Sequence, residues 1–187
     1  MLDRLQLPIF TSRLALRRFG PPDFDAYRSY HSRPEVYRYL YRDPPSPEGL
    51  QARFEAIVEP RFENDGDVFQ LAVARSDDDT VIGEVLLKLA SKKALQAEVG
   101  YILHPACAGR GFATEAAHAM IDLGFTHLGL HRIFARVDPL NVASVRVIER
   151  LGLRREAHFR QNDRFNDVWG DEFIYAVLRS EWPSVQA

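Results

Sequence analysis

The chain has 187 residues, of which 46% are hydrophobic and 27% are charged, a size and composition typical of one globular domain with a proper core. Its formal net charge of −2 leaves no basic excess of the kind that marks nucleic-acid binders. The single cysteine, Cys107, excludes an intrachain disulfide and argues against a cysteine-based metal cluster, and the histidines show no metal-ligand spacing, so no metal site is expected.

The first third of the chain predicts one strand and two helices. The pattern favours a strand over Leu14–Phe19 and a helix over Pro22–His31. A second helix is expected over Ser46–Glu63, after the proline-rich break at Pro44–Pro47. Neither a signal-peptide pattern nor a long apolar run is found here or later, so we expect a cytoplasmic protein without a membrane partner.

The middle of the chain predicts three consecutive strands. Val68–Arg75 and Val81–Leu89 are joined by the short polar stretch 76–79, which suits a hairpin turn. Gln96–Leu103 alternates between apolar and other side chains, as a strand with one buried face does. These segments predict an antiparallel meander.

The remainder predicts a long helix after a glycine turn, a strand over Arg132–Val137, a short helix over Asn141–Leu151 ended by Gly152, and two closing strands. We therefore expect an α/β (α+β) fold in which a mainly antiparallel mixed sheet of about seven strands is flanked by helices on both faces. No repeat or internal boundary is seen, so residues 1–187 are expected to form a single domain.

The stretch HPACAGRGFATEA, from His104 to Ala116, joins a strand to the long helix through a Gly-x-Gly turn. Gly109 and Gly111 lack a Cβ, so the backbone can bend tightly and approach a ligand. The N–H groups of the first helical turn have no internal partners, and the helix dipole favours an anion there. Arg110 adds a positive charge. The stretch therefore predicts a phosphate-binding loop.

Nucleotide-binding proteins of several classes use such a loop. A P-loop requires Gly-Lys-Ser/Thr at its end, and Gly111-Phe112-Ala113 stands there instead. An NAD(P)-binding fold would use Asp138, at the end of the next strand, as its acidic ribose ligand. That fold places its glycine motif in the first unit of a doubly wound sheet, whereas fewer than fifty residues follow Asp138. NAD(P) binding is therefore a remote alternative.

Two sequence blocks and several flanking motifs form a pattern that extends over nearly the whole chain. The blocks are GRGFATEA from Gly109 and D-x-x-N-x-x-S from Asp138, the latter followed by ERLG; the flanking motifs are TSRLALR, RPEV, EVGY and DEFIYAVLRSEW. Together they resemble the GNAT superfamily of N-acetyltransferases, and more closely its ribosomal-protein-alanine N-acetyltransferase branch. One position departs from the pattern, because Ala106 stands where a Gln or Arg often begins the loop motif.

The resemblance implies an acyltransferase that transfers the acetyl group of acetyl-CoA directly to a primary amine. The favoured acceptor is a protein N-terminal amine, such as that of a ribosomal protein, with small amines, amino acids or an antibiotic as alternatives. A non-catalytic CoA-binding sensor stays open, as does a homodimer. The residues expected to bind the cofactor are Ile102, Leu103, Cys107, Ala108, Gly109, Arg110, Gly111, Phe112, Ala113, Thr114, Asn141 and Ser144.

Attack of an amine on a thioester requires a proton acceptor, a donor for the developing oxyanion and a route for the departing thiolate. Glu98 is the first candidate for the base, acting through water; the alternative is a solvated strand residue. Backbone N–H groups around Ile102 and Leu103 are the expected oxyanion donors. Many relatives carry a general-acid tyrosine where this chain has Ile148, so we assign the acid to Ser144, unless the thiolate leaves unaided, since a thiol pKa is about 8.5.

Asn141 and Ser144 have two compatible roles. Asn141 suits the N-cap of the short helix with Ser144 at its third position, and this role needs no ligand. In the functional role Asn141 binds the pantetheine arm and Ser144 donates to the departing sulfur. Both roles are kept, because a capping residue can present its remaining polar atoms to a ligand.

A group of tyrosines crowds one short segment near the N-terminus. In the arrangement of this superfamily the segment would lie over the acceptor end of the site, where aromatic walls with polar tips suit a peptide or amine. Coverage of the sheet or a dimer contact is the alternative role. The tyrosines are Tyr27, Tyr30, Tyr37, Tyr39 and Tyr41, and Phe159–Trp169 is a second candidate rim.

Overall fold

A single eight-stranded sheet organises the chain in a computed structural model, which describes residue 2 and residues 5–183. The spatial order is β1-β2-β3-β4-β5-β6-β8-β7, and every neighbouring pair is antiparallel except β5–β6. The strands are β1 (Ile9–Phe10), β2 (Leu14–Arg17), β3 (Val68–Arg75), β4 (Val81–Ser91), β5 (Gln96–Leu103), β6 (Arg132–Val137), β7 (Arg154–Phe165) and β8 (Val168–Leu178). The predicted mainly antiparallel mixed sheet is confirmed.

Helices cover both faces of this sheet, as expected. They are α1 (Phe24–His31), α2 (Pro34–Tyr37), α3 (Pro47–Val58), α4 (Phe112–Thr126) and α5 (Val142–Arg150). Short 3-10 turns occupy Pro21–Asp23 and Pro105–Cys107. Among the described residues, no helix has the length and apolar character that crossing a membrane requires.

Several predicted boundaries differ from the structure: β2 ends at Arg17 rather than Phe19, β4 continues to Ser91 rather than ending at Leu89, and two helices differ for local reasons. The first helix begins with the 3-10 turn, so its α-helical part starts at Phe24. The third helix ends at Val58 rather than Glu63, because Pro60 disfavours helical backbone at the residue before it. The two-residue strand β1 is too short to show alternation and was not predicted.

Alternation along the strands sends side chains to two separate cores. On β3, Phe69 and Leu71 pack in the main core with Met120 of α4. Ala72 points to the other face, where Tyr30 of α1 and Phe54 of α3 form a second, smaller core. The face covered by α1 and α3 is called the α1–α3 face below.

Strands β5 and β6 are paired only where they begin. Their register runs from Gln96 opposite Arg132 to Glu98 opposite Phe134. Beyond this point β5 stays paired with β4, and β6 with β8. In the described part of the chain, residues 99–103 of β5 therefore have no partner strand on one side, and a cleft opens in the sheet. The chain leaves β5 toward the glycine loop and α4, so the loop lies at the mouth of this cleft.

Candidate active site

The glycine loop adopts the backbone that the sequence predicts. Gly109 and Gly111 have φ of +74° and +83°, in the left-handed region that side chains with a Cβ disfavour. Gly111 is the N-cap of α4, so the N–H groups of Phe112, Ala113 and Thr114 belong to the first turn and lack intrahelical partners. The loop is exposed, and these donors are available to an anion.

The segment before β2 fixes the start of α4 through Glu115. Its Oε1 accepts hydrogen bonds from the Thr11 hydroxyl at 2.6 Å, the Ser12 hydroxyl at 3.0 Å and the Arg13 backbone N–H at 2.8 Å. Arg13 also donates through Nη1 to the Arg110 carbonyl at 2.9 Å. In the sequence these residues stood out only as parts of family motifs. The contact between Thr11 and Glu115 joins positions about a hundred residues apart, and no local sequence pattern predicts it.

Two positive charges and one hydroxyl without a protein partner surround the loop. The guanidinium groups of Arg13 and Arg110 lie 4.7 and 5.2 Å from the centre of the buried Phe112 ring. The hydroxyl of Thr114 is buried and makes no hydrogen bond within the described residues. A buried hydroxyl normally finds a partner, so this site fits a ligand or ordered water that accepts or donates there.

The remaining loop residues connect the cleft to α4. His104 Nδ1 accepts a hydrogen bond from the Ala106 N–H at 3.2 Å, which shapes the short turn. Cys107 ends that turn and is half-buried against the main core, whereas Ala108 is exposed. These residues contribute backbone rather than reactive side chains to the loop.

Ile102 and Leu103 lie at the open end of β5, at the edge of the cleft. Ile102 is opposite Glu84 of β4 and contacts the second core, whereas Leu103 is opposite Gly83 and packs against the main core. The backbone that joins them lies on the part of β5 that has lost its β6 partner.

The start of α5 forms the opposite side of the cleft. Asn141 Oδ1 accepts a hydrogen bond from the Ser144 N–H at 3.1 Å, so Asn141 caps this helix as the sequence predicts. Tyr101 of β5 donates to the Ser144 carbonyl at 3.4 Å, and burial raises the pKa of Tyr101 to about 12. Ile148 is buried in the main core. Ser144 thus lies close to the β5 edge, and its hydroxyl makes no hydrogen bond to another described residue.

Glu98 occupies the last paired position of β5 with β6, where the cleft begins. Burial raises its pKa above the ordinary glutamate value, only partly offset by the charges of Arg136 and Lys88, while Glu172 raises it further. Lys88 is its cross-strand partner on β4. Glu98 is therefore a half-buried carboxyl group rather than the fully solvated strand residue of the alternative interpretation.

A cavity of about 690 Å³ lies on the α1–α3 face. Its inner wall includes Ile102, Glu84 and His31, and its rim is charged. The rim residues carry both signs: Arg42, Arg53, Arg61, Glu55, Glu59 and Asp67. The cavity adjoins the cleft at Ile102, so a ligand held there approaches the end of β5 from the side opposite α4.

The predicted tyrosines divide between the two roles. Tyr27, Tyr30 and Tyr37 are buried, the first two in the second core, so packing accounts for much of their placement. Tyr27 also lines the cavity. Tyr41 lies elsewhere, where its hydroxyl donates to Asp138 at 2.7 Å.

Asp138 is already engaged by the protein on both oxygens. Oδ2 accepts the bond from Tyr41, and Oδ1 accepts one from the Leu140 N–H at 2.7 Å. These bonds to Tyr41 and to the turn at Leu140 account for Asp138 without a ribose ligand. The second predicted rim, Phe159–Trp169, belongs to the β7–β8 hairpin and does not contribute to the lining of the cavity among the described residues.

A split sheet, a phosphate-type loop at one side and a charged cavity at the other define an acyltransferase of the N-acetyltransferase class. Residues 13–154 match the family described as the Acetyltransferase (GNAT) domain. The chain belongs to this family, as the sequence motifs predict.

Relatives that cover about three quarters or more of the chain agree with this assignment. "Uncharacterized N-acetyltransferase YnaD" of Bacillus subtilis is 32% identical over 175 residues, which cover 93% of this chain and 98% of that protein. A ribosomal protein uS5-alanine N-acetyltransferase of Escherichia coli is 27% identical over 137 residues, which cover 73% and 70%. The crystal structure of an acetyltransferase (GNAT family) from Bacillus anthracis superimposes with a TM-score of 0.82 at 28% identity, covering 92% of this chain and 99% of that one.

Proposed function

We propose that this N-acetyltransferase uses acetyl-CoA and transfers its acetyl group to the α-amine of a peptide or protein N-terminus. The observation that carries the proposal is the position of the left-handed Gly109–Gly111 turn, at the start of α4 and at the mouth of the β5–β6 cleft. A diphosphate at the loop would direct the rest of the cofactor along the free edge of β5 toward the acceptor cavity.

The chain offers contacts for the diphosphate and the pantetheine arm of the cofactor, which supplies an acetyl group activated as a thioester. Backbone N–H groups from Gly109 to Thr114 suit the diphosphate, whereas those of Cys107 and Ala108 donate to the carbonyls of His104 and Pro105 and shape the turn. The free edge of β5 at Ile102 and Leu103 suits strand-like hydrogen bonds to the pantetheine arm. The side-chain oxygen of Asn141 accepts the helix-capping hydrogen bond, so its amide N–H groups remain available to the pantetheine arm.

The chemistry requires proton transfer at nitrogen and at sulfur. We assign Glu98 as a base that acts through water, because burial raises its pKa toward the pH at which it works. A backbone N–H at the Ile102–Leu103 edge is the proposed oxyanion donor. The Ser144 hydroxyl, across the cleft, is the proposed donor to the departing sulfur.

The mixed charges of the cavity favour a peptide over a polyamine as the acceptor. A polyamine carries only positive charge, whereas the rim holds Arg42, Arg53 and Arg61 among its carboxylates. A peptide N-terminus presents an ammonium group beside carbonyl oxygens, and guanidinium groups bind such oxygens well. The Escherichia coli relative named for ribosomal protein uS5-alanine makes an alanine-starting peptide the first acceptor to test.

Free amino acids remain the second candidate, because they carry the same ammonium and carboxylate pair. If the acceptor is a ribosomal protein, the reaction takes place in the cytoplasm. A homodimer is a separate expectation that size-exclusion chromatography checks.

The test has two stages. Thermal shift first compares acetyl-CoA with NADPH, and stabilisation by acetyl-CoA alone is the expected result. An acceptor panel then measures release of free thiol with an alanine-starting peptide, spermidine, free lysine and an aminoglycoside. Fastest turnover of the peptide supports the proposal. Binding of acetyl-CoA with no turnover of any amine would favour a sensor, and stabilisation by NADPH alone would overturn the cofactor assignment.

A further inference from the structure

A buried carboxylate lies at the inner end of the acceptor cavity. The side chain of Glu84, on β4, is 4% exposed. Its Oε2 accepts a hydrogen bond from the Tyr30 hydroxyl at 3.0 Å and lies 2.9 Å from His31 Nε2. His31 Nδ1 lies 2.6 Å from the Tyr37 hydroxyl. Burial of a carboxyl group is costly unless it is hydrogen-bonded, and Tyr30 and His31 supply those contacts at Oε2.

Only one oxygen of Glu84 takes part in these contacts. Tyr30 and His31 both approach Oε2, and within the described residues Oε1 has no hydrogen-bond partner. Glu84 lines the cavity, so Oε1 is the oxygen left for a donor that enters it. The rings of Tyr27 and His31, with centroids 4.1 Å apart, form an aromatic wall that suits a cation beside the carboxylate.

Strand register brings Glu84 closer than Glu98 to the proposed reaction centre. Glu84 lies directly opposite Ile102, and facing Cα atoms of antiparallel strands are about 4.5 to 5.5 Å apart. Glu98 lies on the same β5 strand as Ile102 but four residues earlier, which is about 13 Å of strand. Alternation places all three side chains on the α1–α3 face.

We propose that Glu84, held by His31 and Tyr30, binds the ammonium group of the acceptor and takes its first proton. This inference rests on the proposed function, and it specifies the acceptor as a primary ammonium with carbonyl or carboxylate oxygens beside it. The ammonium contacts Glu84 Oε1 at the inner end, and the oxygens face Arg42 and Arg53 at the rim.

Two carboxylates account for the two protons that an ammonium nitrogen must lose to become an amide. The first passes to Glu84 Oε1 before attack. The second leaves toward Glu98 through water as the C–N bond forms and the C–S bond breaks. The departing sulfur takes up one proton, so each acetyl transfer releases one proton to solvent.

The tyrosines around Glu84 do not change their charge in the pH range in which activity would be measured. Burial raises the pKa of Tyr30 well above its ordinary value, and burial also raises the pKa values of Tyr27 and Tyr37, so these groups stay protonated between pH 6 and about pH 9. The titratable and charged groups around Glu84 are Tyr27, Tyr30 and His31 of α1, Tyr37 of α2, Arg42 of the following loop and Arg53 of α3.

The first test is Glu84→Gln, with Glu63→Gln as the control because Glu63 is exposed and outside the cavity. The acceptor is the best substrate of the panel. We expect the dissociation constant for CoA to stay within about twofold, and kcat/KM for the amine at pH 7 to fall at least about a hundredfold. The loss should shrink as pH rises, because free amine then replaces the ammonium. A kcat/KM within threefold of the control at pH 7 would overturn the proposal.

A second test needs no variant, so it holds even where Glu84→Gln does not fold. Alaninamide and lactamide, which differ in an ammonium against a hydroxyl group, are compared as competitors of the wild-type enzyme; acetylation of the peptide is followed by mass spectrometry, because alaninamide can itself be acetylated. We expect alaninamide to inhibit at a concentration at least about tenfold lower, as a charge-assisted hydrogen bond predicts. Equal inhibition would overturn the role of Glu84. Failure of the wild type to bind CoA or acetylate any amine would instead overturn the proposed function itself.

Discussion

Arg13 and Glu115 form an ion pair, with Nη2 and Oε2 2.6 Å apart, that joins the segment before β2 to the first turns of α4. The same guanidinium donates to the carbonyl of Arg110 in the middle of the glycine loop. One side chain thus contacts both the loop main chain and the helix that follows it. The pair therefore determines how the loop presents its N–H groups.

Breaking this pair should weaken cofactor binding. We expect Glu115→Gln or Arg13→Gln to raise the dissociation constant for CoA about tenfold, because hydrogen bonds to charged groups contribute about 1.5 to 3 kcal/mol. Isothermal titration calorimetry measures the change. Arg28→Gln is the matched control, since Arg28 also pairs with a carboxylate, Asp25, at 2.8 Å but lies on α1. Equal affinities in all three variants would contradict the role of the pair.

The same pair makes loop stability sensitive to acid. Partial burial acts to raise the pKa of Glu115, but hydrogen bonds from Thr11, Arg13 and Ser12 outweigh it and lower the pKa. A lowered pKa means that the stabilising contribution is fully present above the unfolded-state value of about 4.3 and is lost as pH falls through the folded-state value. Thermal unfolding of Glu115→Gln should approach that of the wild type at low pH.

Alanine in the glycine loop should separate backbone strain from ligand binding. A Cβ at Gly109 would meet no atom within 4 Å, so Gly109→Ala adds only the left-handed strain, about 1 to 2 kcal/mol. Gly129→Ala is the matched control, with φ of +67° and the same open space but no contact with the loop. We expect similar losses of Tm, about 2 to 4 °C per kcal/mol, and a weaker CoA affinity only for Gly109→Ala. Equal CoA affinities would contradict the assignment of the loop.

The sequence predicted the elements well where the pattern is local. The bounds of β3, β5 and β6 agree with alternation and turn chemistry, which act between neighbours. The cleft was not predictable, because it depends on where the pairing of β5 with β6 stops, and the paired residues, such as Gln96 and Arg132, lie 36 positions apart.

The same distinction holds for the site. The left-handed turn at Gly109 and the Asn141 cap follow from residues within a few positions of each other. The contact of His31 with Glu84 joins positions 53 apart, and no spacing rule marks it. The charged residues Glu84 and Lys88 interrupt the apolar run of β4, but this pattern does not identify the partner of either residue.

Glu98 should control the acidic limb of the activity profile. Burial raises its pKa, so the folded protein favours the neutral form, and the corresponding stability is lost as pH rises through the folded-state pKa. Glu98→Gln should therefore keep or increase Tm at pH 7, while kcat/KM falls about a hundredfold and the acidic limb above pH 4.5 disappears. Rate profiles from pH 5 to about pH 9 check this. If the acidic limb of the kcat/KM profile is unchanged in Glu98→Gln, a group other than Glu98 produces that limb.

Ser144 should act on sulfur rather than on stability. Its hydroxyl makes no hydrogen bond to another described residue, so Ser144→Ala leaves the cap bond from its backbone N–H to Asn141 intact. We expect kcat at saturating acetyl-CoA to fall about tenfold, less than for most general acids because a thiolate is a fair leaving group. Unchanged turnover would show that the thiolate leaves unaided.

Asn141 offers a substitution that divides its two roles. In the structure the Ser144 N–H donates to Asn141 Oδ1 at 3.1 Å. Aspartate caps helices as well as asparagine does, because its carboxylate oxygen can accept the same hydrogen bond. It lacks the amide N–H groups that we assign to pantetheine. Asn141→Asp should therefore unfold at a Tm close to that of the wild type and raise the KM for acetyl-CoA. Asn141→Ala should lose both functions, with a destabilisation of about 1 kcal/mol. A wild-type KM for Asn141→Asp would leave Asn141 as a helix cap alone.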